Sequence, residues 1–242
     1  MATTTAITLL DAINRASRTL GISQAASGAE RQLLIDWYNE AVDQFLTETK
    51  MVQKTLKLAM TANQGDYTID DQIISMKDLN YVPSGQQGWL MIPCDETEII
   101  QRRLLQSAVA MAPQRYALAG SNTIMIWPTP SSSADYVHGL YVSHPTTAMS
   151  ADAHSPDTST YGGIPVEWHP VLLWYVFWQA AMLTKDEASG AGQAFEQRWM
   201  AGLQRAKMRQ AKKLGVRVPR ARVGPRDKGS RGFASPGVDT GY

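Results

Sequence analysis

The chain has 242 residues, of which 44% are hydrophobic and 19% charged, a balance typical of a globular protein with a sizeable core. Its single cysteine, Cys94, excludes an intramolecular disulfide framework and a cysteine-cluster metal site. The net charge of +1 conceals an uneven distribution, because residues 205–242 hold 11 of the 23 Lys and Arg residues and two acidic residues. This segment carries a formal charge of +9 and residues 1–204 carry −8.

The N-terminal part of the chain predicts two helices. Apolar residues recur at helical spacing over residues 4–20, and Gly21 stands where a left-handed C-cap would end the first helix. A continuous apolar stripe over residues 33–46 predicts the second helix. Ser27 and Glu30 have the spacing of a capping box, so we expect Ser27 to be the N-cap of that helix.

After Lys50 the apolar residues alternate along the chain, which predicts a β-rich region with antiparallel strands over residues 51–143. The predicted strands lie at residues 55–60, 67–69, 73–81, 89–92, 115–118, 123–127 and 136–142. Asp95 and Glu98 fit the N-cap and N3 positions of a short helix at about residues 95–107. The middle of the chain is therefore predicted to consist mainly of β-strands, interrupted by one short helix.

Two further helices are predicted towards the C-terminus. Residues 144–163 are polar and rich in turn formers, and predict a loop longer than most connections inside compact domains. Pro165 opens a helix that runs to about residue 185. A last helix begins near Gly192 and continues into the basic segment, by which we mean residues 205–242.

Together these elements predict an α+β fold in which helices from both ends of the chain enclose the β region. Residues 1–50 and 164–204 would form a helical bundle. Residues 51–143 would form an inserted β-rich region, followed by the loop. The basic segment would contain the end of the last helix and an extended basic C-terminal tail, because its Gly, Pro and Arg residues offer too little apolar surface to fold alone.

No motif in the sequence predicts catalysis, a metal site or a cofactor. The chain has neither a P-loop nor a dinucleotide-binding glycine motif, and it has no Gly-x-Ser-x-Gly nucleophile turn. The four histidines lack cysteine companions and a zinc-binding spacing. Glu167 and His169 lie two positions apart on a predicted helix, so they face different directions and do not form an acid–base couple. We expect no enzyme activity and no cofactor.

The apolar run from Val171 to Leu183 is too short to cross a membrane, which takes about 20 residues. The N-terminus lacks the basic and apolar regions of a secretory signal, so we expect no export by that route and no membrane partner. The helix is apolar on nearly all sides. Packing within one subunit or against a neighbouring copy would each bury its aromatic rings and that of the last helix, for which the candidates are Trp168, Trp174, Trp178 and Trp199.

Three interpretations of the basic segment are open: a solvated end, a nucleic-acid arm, and a segment that becomes ordered in a groove of a partner protein. Phe233 and Tyr242 are its only aromatic residues, so it is poorly equipped to stack on bases. We favour the partner protein. Its candidate contact residues are Arg205, Lys207, Arg209, Lys212, Lys213, Arg217, Arg220, Arg222, Arg226, Lys228 and Arg231.

Four short segments stand in a characteristic order along the chain. They are WYNEAVDQF at 37–45, QGDYTI at 64–69, RYALAGSNTIMIWPTP at 115–130 and IPVEWHP at 164–170. In this order and spacing they resemble the head-to-tail adaptor (connector) proteins of tailed bacteriophages, particularly those beneath the portal of short-tailed phages. The resemblance covers roughly residues 5–210. The segments also have an architectural meaning, since Gly120, Ser121 and Asn122 predict a hairpin turn and Pro128 ends its second strand.

The resemblance implies a structural protein of the virion neck, assembled in the host cytoplasm. Such proteins form a ring of identical subunits, usually twelve, which docks on the portal protein and presents a platform to tail or nozzle proteins. Genomic DNA passes through the lumen without sequence-specific contacts. The basic segment would lie along the portal or between neighbouring subunits. The alternatives are a nucleic-acid-binding protein with a cationic arm and a cell-envelope hydrolase, for which the sequence supplies no catalytic residues.

Overall fold

A computed structural model describes residues 5–21, 28–106, 110–183 and 190–213 of the chain. Within these ranges the helices are α1 (Leu9–Leu20), α2 (Ala29–Thr49), α3 (Glu96–Leu105), α4 (His169–Leu183) and α5 (Ala191–Lys213). The strands are β1 (Lys54–Ala59), β2 (Asp66–Thr68), β3 (Ile73–Val82), β4 (Trp89–Leu90), β5 (Ile92–Pro93), β6 (Arg115–Ala119), β7 (Thr123–Trp127) and β8 (Tyr136–Ser143). The predicted α+β class is confirmed.

The strands form two four-stranded sheets, with the orders β1-β8-β3-β4 and β2-β7-β6-β5. Their facing sides share a core, in which Leu79, Met91, Ile124 and Ile126 are fully buried. Side chains of the second sheet alternate between this core and α3, so that Ala117 and Met125 pack beneath the helix. The β region is therefore a sandwich of two sheets covered by one helix.

The predicted strand at 89–92 divides between the two sheets. Its first half pairs with β3, and its second half pairs with β6. Between the halves lies Met91, whose side chain is buried in the shared core and whose N–H donates to the Leu79 carbonyl. The β5–β6 pairing is parallel, so the prediction of a wholly antiparallel region was wrong at this edge.

The helix starts differ from the predictions in two places. The first helix begins at Leu9 instead of residue 4, because Thr8 is the N-cap and forms a capping box with Asp11. The second begins after Gly28, which is its N-cap, so the predicted cap at Ser27 was wrong, and Ser27 itself lies outside the described residues. Gly21 is the left-handed C-cap expected for the first helix, and Asp95 is the N-cap of α3.

Four helices pack around a second hydrophobic core. Helix α4 contacts α1, α2 and α5, and α2 also contacts α1 and α5. We call these four helices the helical layer. Helices α4 and α5 approach each other closely at Gly202, where an added Cβ would lie 2.4 Å from Cγ1 of Val171. The backbones of these two helices can come this near only because Gly202 has no side chain.

The long loop at 144–163 is held against the helical layer. The N–H of Leu9, at the start of α1, donates to the His154 carbonyl over 2.8 Å. The side chain of Asn39 on α2 both donates to and accepts from the backbone of Met149, over 3.0 and 2.8 Å. The loop therefore supplies partners for polar groups that would otherwise be buried unpaired.

His169 joins the N-terminal segment to the start of α4. Its side chain is fully buried; Nδ1 accepts from the N–H of Ile7 over 3.1 Å, and Nε2 lies 3.0 Å from the Ile164 carbonyl oxygen, to which it donates. Both bonds require the neutral ring protonated at Nε2. Burial lowers the pKa of His169, although the bond to the Ile164 carbonyl acts in the opposite direction.

We expect Gly202→Ala to lower the free energy of unfolding by about 1–3 kcal/mol, because the new methyl group collides with the branched side chain of Val171. Gly192→Ala, in the same helix, is the matched control, since its Cβ would meet Cβ of Ala181 at an ordinary 3.6 Å. Urea denaturation of both variants measures the difference. Equal stability of the two variants would show that the approach of α4 and α5 has room for a methyl group.

We expect His169 to make the protein less stable as the pH falls. Because its folded-state pKa lies below the unfolded value near 6.5, its stabilising contribution is complete above that pH and declines as the pH decreases through it. Between about pH 7.5 and 5.5 the wild type should lose more stability than His169→Gln, in which one amide can replace both bonds. Denaturation of both proteins at the two pH values tests this, and parallel losses would contradict it.

Candidate assembly site

The base of the basic segment is fixed to the body of the subunit by ion pairs and packing. Nζ of Lys207 lies 2.5 Å from Oε2 of Glu48, and Nη1 of Arg209 lies 2.5 Å from Oε1 of Glu167. The guanidinium of Arg209 also lies over the ring of Trp168, 5.9 Å from its centroid. These pairs are exposed, so we expect them to orient the end of α5 more than to stabilise the fold.

A groove of about 380 Å³ opens beside this anchor, where α5 ends. Its lining residues come from the segment before β1, the segment before α4 and the end of α5, and they are Met51, Val52, Gly163, Pro165, Glu167, Arg209, Gln210 and Lys213. The buried side chain of Gln210 donates to the Lys50 carbonyl over 3.2 Å and closes one wall. The groove and the anchor therefore lie beside the last described residues of the chain.

The structure describes five of the eleven basic residues that the sequence analysis predicted to contact a partner. Arg205, Lys207, Arg209, Lys212 and Lys213 all lie on α5 and are exposed. The other six lie outside the described residues: Arg217, Arg220, Arg222, Arg226, Lys228 and Arg231. The contact that these residues make with a partner stays a prediction.

The four candidate tryptophans fall into two pairs. Trp168 and Trp199 are buried in the core of the helical layer, where the ring of Phe45 lies between them at 6.1 and 6.5 Å. Trp174 and Trp178 are partly exposed at the surface of the layer. Packing within one subunit accounts for the first pair, and the second pair retains surface for a neighbouring molecule.

An exposed apolar surface on α3 escaped the sequence analysis. Leu104 and Leu105 are 80% and 84% exposed, and Ile100, one turn before Leu104, is 42% exposed. The signal was present in the sequence, because apolar residues stand on more than one face of this short helix. Contiguous exposed apolar side chains mark interaction surfaces.

The described side chains do not form a reactive constellation. Glu167 pairs with Arg209 and His169 is buried in backbone hydrogen bonds, so the two residues do not act together. Burial raises the pKa of Cys94, whose thiol is 3.5 Å from the Tyr116 carbonyl oxygen, and this disfavours a thiolate. Within the described ranges there is no group of three or more His, Cys, Asp or Glu that could hold a metal ion.

Among the described helices, none is both long enough and apolar enough to cross a bilayer.

Comparison with known proteins gives a family but few individual relatives. A search of curated proteins found no match. Among solved structures, a chain from the "Neck of empty GTA particle computed with C6 symmetry" is 12% identical, with a TM-score of 0.25 over 68% of this chain and 74% of that chain. A similarity at this level carries no weight for the fold or the function.

The family model described as SU10 adaptor protein matches residues 7–224. This match includes all four segments that resemble head-to-tail adaptors, and it confirms that resemblance. Since the match covers most of the sequence, the chain belongs to the SU10 adaptor protein family, whose members are structural proteins of the virion and not enzymes.

Proposed function

We propose that this adaptor forms a ring of identical subunits, twelve in number, in the virion neck. The ring docks on the portal protein and presents a platform to a tail or nozzle protein, and genomic DNA passes through its lumen without sequence-specific binding. Assembly takes place in the host cytoplasm. The family match, which spans most of the chain, is the observation that carries this proposal.

The extent of that match supports a role for the basic segment in docking. The family model continues past Lys213, where α5 ends, to residue 224. The first part of the segment beyond the helix therefore belongs to the family pattern. The ion pairs of Lys207 and Arg209 fix the point from which it departs. A segment held at its base and rich in Arg can reach an acidic surface on the portal or on a neighbouring subunit.

The presence of two hydrophobic cores supports separate roles for the helical layer and the β region. The helical layer is built from the two ends of the chain, and the sandwich from the region between them. We propose that the helical layer, as a bundle, builds the ring, and that the β region faces the ring exterior or the tail side. The exposed side chains Ile100, Leu104 and Leu105 on α3 would then contact the next protein along the neck.

The acidic body of the chain suits a DNA channel. Residues 1–204 carry a formal charge of −8. Like charge between the wall and the phosphate backbone discourages DNA from adhering during packaging and ejection. The positive charge of the protein is concentrated instead in residues 205–242, which we place away from the lumen.

We expect removal of residues 214–242 to abolish docking to the portal ring and to leave the subunit folded, because this cut preserves α5 and its ion pairs. Light scattering or native mass spectrometry of the protein mixed with the portal ring measures docking, and thermal unfolding checks the fold. A second variant, with Gln at all six basic positions of residues 214–242, separates the effect of charge from that of chain length. Unchanged portal affinity of the truncated protein would contradict the role of the segment.

The charge of the basic segment also favours a second candidate, in which it is an arm that binds nucleic acid. This alternative predicts that duplex DNA binds the full chain and not the 214–242 deletion. Six basic residues on phosphates would make the affinity fall by about a thousandfold between about 50 and 200 mM salt. Filter binding at both salt concentrations measures this, and absence of binding at the lower one removes the alternative.

A further inference from the structure

A groove between α1 and α4 combines an aromatic floor with a basic wall. It has a volume of about 340 Å³ and is lined by Arg15, Arg18, Thr19, Pro170, Leu173, Trp174 and Phe177. Trp174 lies edge to face with Phe177, with ring centroids 5.5 Å apart, and stacks on Phe195 of α5 at 6.0 Å. The floor is therefore a packed aromatic surface that remains partly open.

The charge around this groove is positive. Arg15 and Arg18 are exposed on successive turns of α1, and within the described part of the chain neither makes an ion pair. The guanidinium of Arg198 lies over Trp174, 4.6 Å from the ring centroid. The acidic residue on α1, Asp11, is engaged in the capping box one turn before Arg15. Three guanidinium groups thus border an aromatic floor without a carboxylate partner among the described residues.

The outer face of α2 has the opposite character. Asp36 and Glu40 are exposed one turn apart. Asp36 accepts from the neutral amide of Gln32 over 2.8 Å. Glu40 accepts from the neutral amide of Gln44 over 3.2 Å and from the hydroxyl of Tyr175. Glu40 also borders a second groove of about 480 Å³ between α2 and the loop around His144, which Asp43 lines as well. No cation of the described chain pairs with Asp36 or Glu40.

These two surfaces lie on opposite sides of the helical layer. Trp168, just before α4, and Tyr175 on α4 face α2, where Trp168 packs on Phe45 and the hydroxyl of Tyr175 accepts from Gln44 over 2.9 Å. Pro170, Trp174 and Phe177, which line the first groove, lie on the other side of α4. The buried stripe of α2 faces α4, and Asp36 and Glu40 stand on the opposite, exposed face of the helix. The two surfaces of one subunit therefore cannot meet each other.

We propose that the aromatic, basic groove between α1 and α4 binds the acidic outer face of α2 from a second copy of this chain. Complementary charge identifies the occupant, because each surface supplies what the other lacks. Two different surfaces on opposite sides make a head-to-tail contact, which closes into a ring when the rotation between copies permits. The inference rests on the proposed ring and assigns its subunit contact: Arg15 and Arg18 meet Asp36 and Glu40 of the next subunit.

Charge reversal on each side provides the test. One variant carries Arg15→Glu and Arg18→Glu, and the other carries Asp36→Lys and Glu40→Lys. Alone, each brings like charges together, and we expect at least about a hundredfold weaker self-association in each case. Mixed in equal amounts, the two variants should restore assembly, because every groove in an alternating ring then faces a surface of opposite charge. Native mass spectrometry of the full-length proteins, alone and on portal rings, gives the composition of each assembly.

A matched control for the arginine variant is Lys57→Glu with Lys77→Glu, which makes the same change in net charge on the first sheet and should assemble like the wild type. Thermal unfolding of each variant shows whether it is folded. Recovery of assembly when the two variants are mixed also shows that both are folded. Normal assembly of either reversed variant, or failure of the mixture to assemble although both variants fold, would overturn this contact while the wild-type ring still supports the proposed function. Failure of the wild type to form any ring, alone or on the portal, would overturn both.

Discussion

The need to cover α4 determines how the rest of the helical layer is arranged. This helix contains no Asp, Glu, Lys or Arg and consists mainly of Leu, Val, Ala and four aromatic residues. An isolated α4 would therefore expose apolar surface to water on almost every side. Helices from both ends of the chain provide the cover: α1 and α2 come from before the β region, and α5 follows α4. Because these helices all pack on α4, the N-terminal segment, the long loop and the base of the basic segment lie close together.

Most helices and strands could be predicted from the local spacing of apolar residues, because that spacing reflects which side of each element is buried. The alternation at 55–60 and the stripe at 33–46 each correspond to an observed element. The division at Met91 could not be predicted in this way. Its cause is pairing with β3 on one side and β6 on the other, partners that are distant in sequence or parallel, and no local period records them.

The candidate site was harder to predict, because its chemistry lies in the arrangement of helices. The basic segment is visible as composition, and its charge needs no structure to be recognised. Arg15 and Arg18, by contrast, look like ordinary solvated residues on an amphipathic helix until α4 places an aromatic floor beside them. The same holds for Asp36 and Glu40. Likewise, four tryptophans are equivalent in the sequence, whereas the structure buries Trp168 and Trp199 and leaves Trp174 and Trp178 at the surface.

Charge separation recurs at two scales in this chain, and the two scales suit different tasks. Along the sequence, a body of −8 precedes a segment of +9, which favours contact between the segment and an acidic surface that another subunit or another protein presents. Across the helical layer, two arginines on one side and two carboxylates on the other favour contact between identical copies. Exposed contacts of this kind are individually weak and are screened by salt, so a free subunit gains little from any one of them. In the ring that we propose, repetition of these contacts and the addition of the segment at each position would make the sum large, which would favour assembly on a template over association in solution.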